Sequence, residues 1–190
     1  MKTRITVMVE NKAVQTRLDK LIAWLGEKLS LIFLFIVVIS FYEVFMRYAF
    51  NAPTIWVHET AAFLGGGLFV FGGSYALATD KHVRVVLFYD NVRPKTKAYL
   101  NIFHHIMGVI FSVMMTWAGY LMVKDSWFAP WGELRLQTSA TAWNPPFPAY
   151  LKAIIFVTMI VLTIQFILHL IAEIRRLSSG YYSQLEYENV

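Results

Sequence analysis

The chain has 190 residues, of which 57% are hydrophobic, 16% aromatic and only 15% charged. Ordinary soluble domains carry about 25% charged residues, so this deficit, with a mean hydropathy of +0.52, indicates an integral membrane protein. The absence of cysteine excludes a disulfide frame, a thiolate cluster and a thiol nucleophile; the net charge of +5 sits beside apolar runs, which reads as a topology signal and not as a nucleic-acid surface.

Residues 1–28 are polar and mostly basic, and within them Leu18, Leu21, Ile22 and Leu25 recur at helical spacing beside Trp24. Two readings stand open: an amphipathic helix lying on the bilayer, or an extension of the first span into water. No amino-terminal signal peptide is expected, because polar sequence precedes the first apolar run and no small-residue cleavage site follows it. The first span runs from about Leu29 to Phe45.

The segment from Arg47 to Glu59 joins the first two spans and reads as a tight hairpin at the membrane surface. Pro53 cannot continue an incoming helix, and Asn51 or Thr54 is suited to cap the outgoing one. Tyr48, Phe50 and Trp56 flank the turn, as expected where a chain crosses a bilayer surface. Glu43 and Arg47 are four apart, the spacing of a helical ion pair, and Glu59 is expected to join them at similar depth. Two acids and one base leave a charge over, which invites a second cation from a partner.

The second span, from about Trp56 to Ala78, places Ala61, Gly65, Gly72 and Ala76 on one face, widened by Gly66, Gly67 and Gly73. Such a strip admits close backbone approach, so this helix is expected to be packed, against a neighbour in this chain or another. A hydrophilic connection from Thr79 to Ala98 leads to a third span, Tyr99 to Val123, without Asp, Glu, Lys or Arg. Next comes Lys124 to Phe147, with Trp127, Trp131, Trp143 and Pro145-Pro146. The spacing of Trp127 and Trp131 predicts one face of a short surface helix. The fourth span covers Pro148 to Ala172, and the tail from Glu173 is expected to be flexible.

The expected organisation is therefore an amino-terminal segment 1–28, a four-helix membrane domain 29–172 and a tail 173–190. Six Lys and Arg lie in residues 1–28, five in the 79–98 connection and two in the tail, against four on the opposite side. The positive-inside rule then places both termini in the cytoplasm. The fold class is all-α, with four transmembrane helices.

Charged groups near hydrocarbon are costly, so Glu43, Arg47 and Glu59 either line an ion path or neutralise one another and fix how two helices meet. Their position near a membrane face favours the structural role. His104, His105 and His169 fall in the same half of the membrane, and His105 with His169 raises the alternative of a haem b electron-transfer subunit. There is no phosphate loop, no His-Glu-x-x-His and no nucleophile with its base, so no enzyme is expected. Nor are there the internal repeats and paired broken helices of a complete carrier, and Gln165 inside the fourth span reads as interhelical glue.

The stretch Arg47-Tyr-Ala-Phe-Asn-Ala-Pro-Thr-Ile-Trp with Glu59 resembles the signature of the small membrane subunit of tripartite ATP-independent periplasmic (TRAP) transporters. The run Gly72-Gly73-Ser-Tyr-Ala-Leu, with Asp80 and His82-Val83-Arg84-Val85, resembles a second block of that family. His58 replaces an acid common in the family, and Val86 an Asp. The resemblance implies a scaffold in the bacterial inner membrane, with three kinds of partner: the large subunit, a periplasmic substrate-binding protein and membrane lipids. It implies no cofactor for this chain, with sodium bound by the large subunit. It also implies roles for Glu43, Arg47, Asn51, Pro53, Trp56 and Glu59 in fixing the helices or touching the large subunit. Trp127, Trp131 and Trp143 would belong to an outer docking loop.

Overall fold

The structure, a computed structural model, describes residues 16–81 and 94–179. The segment 1–15, the block His82-Val83-Arg84-Val85 with Val86, and the tail beyond residue 179 lie outside the described residues. The described chain forms α1 (Arg17–Leu29), α2 (Leu31–Ala49), α3 (Ile55–Ala78), α4 (Pro94–Trp127) and α5 (Phe147–Ser178). Among the described residues its β-structure is one isolated antiparallel bridge between Phe128 and Leu134. Four segments are long and apolar enough to cross a membrane: Arg17–Ala49, α3, Thr96–Trp127 and α5.

Each helix starts and stops for local reasons. Thr16 and Asp19 form a reciprocal capping box at the head of α1, and Ser30 joins α1 to α2 in a helical conformation with its N–H still bonded to the Gly26 carbonyl. α3 ends at Thr79 with Asp80 in the left-handed region (φ 56°), Lys81 N–H reaching back to the Ala76 carbonyl and Asp80 N–H to Leu77. That is a Schellman arrangement with aspartate where glycine is usual. Pro148 stands in the first turn of α5, where its missing N–H costs nothing. At ~1.5 Å per residue, 30 or more residues exceed a ~30 Å hydrocarbon core, so the 34 residues of α4 and 32 of α5 overrun it.

The principal contacts run in a row: α1 and α2 pack on α3, α3 on α5, and α5 on α4. The small core lies where α3, α4 and α5 meet, from Leu77, Leu162 and Phe166 with Val109 and Met159 against them. Much of the apolar surface faces outward instead, including Phe33, Leu34, Val37, Val38 and Phe41 along α2 and Phe111, Met114 and Trp117 on α4. Water would not tolerate this surface; hydrocarbon does, because every helical backbone group is already paired.

α4 and α5 approach closely at Gly108, where a Cβ would stand 2.4 Å from the Phe166 ring. Gly108→Val is expected to push Phe166 out of the core at a cost of about 2 kcal/mol. Gly65→Val, where nothing lies within 4 Å, is the control. Unfolding of both variants in detergent checks this; equal midpoints would contradict the packing described.

The last helix continues through Ser178, past the expected start of the tail at Glu173. Glu173 is itself buried and accepts a hydrogen bond from Asn101 Nδ2 at 2.8 Å, tying α5 to α4.

Candidate functional site

The turn between α2 and α3 is built around one carboxylate. Asn51 adopts φ 54°, which asparagine tolerates, and Ala52 N–H bonds the Met46 carbonyl as the chain reverses. Glu43 is buried on α2. Its Oε1 accepts from Arg47 Nε at 3.1 Å and Nη2 at 2.5 Å, and its Oε2 accepts from the Thr54 backbone N–H at 2.7 Å and from the Thr54 hydroxyl. Thr54 is the N-cap residue of α3, yet its hydroxyl points to Glu43 and makes no cap bond. Glu43 therefore holds the start of α3 against the end of α2 through the chain itself, and Arg47, half exposed, neutralises it. Pro53 and Trp56 lie exposed on this surface, with the Trp56 ring 6.2 Å from that of Tyr42.

Glu59 does not join this pair. Both of its carboxylate oxygens accept from Ser139 Oγ at 3.1 Å. The reason is helical phase: Thr54, at the head of α3, meets α2, whereas Glu59, five residues on, faces the α4–α5 loop. The expected three-membered cluster is thus two separate sites at one end of the molecule.

The loop after α4 also differs from expectation. Trp127 and Trp131 do not share a surface helix, because α4 runs on to Trp127 and Pro130 with Gly132 (φ 92°) then reverses the chain. The reversal is fastened by Ala129 N–H to the Glu133 carbonyl, Arg135 N–H to Trp127 and Gln137 N–H to Ser126. Trp127 turns inward, its indole N–H donating to the Ala149 carbonyl at 3.0 Å. Trp131, 64% exposed, stands at the tip and donates to Glu133; Trp143, 47% exposed, meets Phe147 edge-on.

The opposite end holds a buried polar cluster built from residues far apart in the chain. Asp19 on α1 is 1% exposed. Its Oδ1 accepts from Gln165 Nε2 at 2.9 Å and its Oδ2 from His169 Nε2 at 2.8 Å, besides the Thr16 cap. Gln165 in turn accepts from the Ser74 hydroxyl on α3 and donates to the Ser74 carbonyl. The amide expected to act as glue does join helices, three of them. α1 packs one face on the protein, with Asp19 and Ile22 buried, while Leu21 and Trp24 are exposed. The Thr16-x-x-Asp19 pattern signals the helix start, but nothing local says the acid is buried.

The histidines do not fit a haem. The rings of His105 and His169 meet edge to face with centroids 5.6 Å apart. His169 Nε2 is also committed to Asp19. No group of three or more metal-ligating side chains occurs among the described residues.

The small-residue strip of α3 divides. Gly66 faces Leu151 of α5 at 3.3 Å and Gly67 faces Ile154, whereas Gly65 and Gly72 meet nothing within 4 Å of a Cβ position. Ala61 and Ala76 are half-buried on the same expected face. Within this chain α3 thus packs through the glycines beside the strip, and part of the strip itself stays open.

Comparison with known families matches residues 36–176 to the DctQ component of tripartite ATP-independent periplasmic transporters. Comparison with curated proteins finds no match.

Proposed function

The chain belongs to the DctQ component family of TRAP transporters, and from that premise we propose that it is the static membrane support on which a large sodium-coupled subunit moves. It is a multi-pass, non-catalytic subunit of a transporter, and its family implies a large membrane subunit and a periplasmic subunit as companions. The proposed place is the bacterial inner membrane with both termini in the cytoplasm, as the distribution of Lys and Arg supports. Lipid covers the apolar outer faces of α2 and α4.

One observation carries the support role. The charged and amide side chains buried among the helices are spent on holding them together: Glu43 on the α2–α3 turn, Asp19 and Gln165 between α1, α3 and α5, Glu173 between α5 and α4. Anchors of this kind, placed at both ends, oppose sliding of one helix past another. In this reading Glu43, Arg47, Asn51, Pro53, Trp56 and Glu59 shape the turn face that meets the large subunit. The strip of Ala61, Gly65, Gly72 and Ala76 admits a foreign backbone. Trp131 and Trp143, with Trp127 bracing the loop from within, contribute to docking a periplasmic protein that delivers a small organic acid.

Reconstitution tests this. Vesicles holding this chain alone are expected to show no solute uptake, and uptake is expected once the large subunit and binding protein are added with a sodium gradient. Accumulation by the chain alone overturns the reading, as does consistent isolation of the chain without a many-span partner.

A further inference from the structure

Glu59 stands at a cleft of about 230 Å³ walled by Ala62, Phe63, Ser139, Phe147 and Leu151. Its two oxygens share one hydroxyl proton, that of Ser139, and among the described residues no Lys, Arg or His forms an ion pair with it. A carboxylate has about four acceptor sites. At Glu43, on the same end of the protein, an Arg fork, a backbone N–H and a hydroxyl fill them. Arg47 is engaged by Glu43, and Lys152, next to Leu151, donates to Gln137. Glu59 is thus left with acceptor sites at the cleft that its one hydroxyl donor does not fill, and a basic group from outside would complement them.

The walls say what kind of cation fits. The Phe63 and Phe147 rings stack at 4.6 Å, and Ala62 is exposed at the cleft. Aromatic and aliphatic walls suit a basic side chain with an apolar stem and a flat head, which can lie along the rings and end on the carboxylate. Phe63 lies more than two turns inside α3 and Leu151 just over one turn inside α5. Side-on entry from a neighbour in the membrane plane therefore reaches the cleft.

We propose that Glu59 and this cleft form a socket for an arginine side chain of the large membrane subunit, a site that fixes how the two chains register. The inference rests on the support role above. The chain has no native cysteine, so Ala62→Cys supplies a single thiol at the socket. Its maleimide labelling in membranes is compared with and without the co-expressed large subunit. Labelling is expected to be roughly tenfold slower in the complex, the factor that ~1.4 kcal/mol of occlusion supplies. Glu59→Gln in that background is expected to restore fast labelling and weaken co-purification, Glu59→Asp to keep slow labelling and co-purification, and Glu59→Lys to abolish the complex.

An acid substituted for one basic residue of the large subunit should rescue Glu59→Lys. Equal labelling in a complex that still co-purifies overturns the socket alone. So does protection that survives Glu59→Gln, or protection that appears only when the soluble binding protein is added. Failure of the unsubstituted chain to co-purify overturns the support role and the socket together.

Discussion

Asp19→Ala is expected to lower the stability of the folded chain by about 3 kcal/mol, the cost of removing a buried carboxylate from the donors gathered around it. The carboxylate is 1% exposed and serves Gln165 and His169 on α5 together with the Thr16 cap. Alanine leaves the Gln165 amide and the His169 ring N–H pointing into space that has lost its acceptor, and each buried donor so stranded costs its desolvation. The cap alone is worth about 1 kcal/mol, so Thr16→Ala should show roughly a third of the effect. α1 lies at one edge of the row, on α3, and can relieve the strain by undocking. Hydrogen exchange across Arg17–Leu29 should then rise before the rest of the protein opens. An unfolding midpoint unchanged in Asp19→Ala, with α1 amides still protected, would remove this anchor from the fold.

Glu43→Ala is expected to damage assembly and uptake more than Arg47→Ala does, although the two residues form one ion pair. Arg47 is half exposed, so its loss lets water solvate the carboxylate while both Thr54 contacts remain. Glu43 is the centre of the arrangement. Without it the Thr54 N–H at the head of α3 loses its acceptor, the Thr54 hydroxyl loses its partner and the guanidinium swings free. The α2–α3 turn then keeps Asn51 and the bonds of the Phe50 and Ala52 N–H groups to the Met46 carbonyl to hold its angle. Yield of the complex on co-purification and solute uptake in cells measure the difference, which should be several-fold. Equal losses, or a greater one for Arg47→Ala, would mean that neutralisation and not the turn contact matters.

The comparison of these two variants shows where sequence reading stops. The spacing of Glu43 and Arg47 announces their pairing, because two positions four apart on a helix are neighbours whatever surrounds them. No comparable rule connects Glu43 to Thr54, eleven residues away across a turn, or parts Glu59 from the pair. Trp127 and Trp131 failed for a related reason: their spacing matters only if the helix continues, and Pro130 ends it.

Composition and apolar runs alone pointed to a helical membrane protein with four segments long enough to span, since runs of about twenty apolar residues satisfy their own backbone in hydrocarbon as helices. The turn at Asn51–Thr54 and the family likeness were legible in the same local way. Tertiary structure alone decided that α1 is drawn into the protein by Asp19, that Gln165 and His169 receive it, that His169 Nε2 is thereby engaged and not offered to a haem, and that Gly66 and Gly67, not Gly65 and Gly72, face α5. Each depends on how helices are rotated and set in depth against one another. Polar side chains nearly a hundred or more residues apart settle that rotation when they find partners in a medium that offers no water.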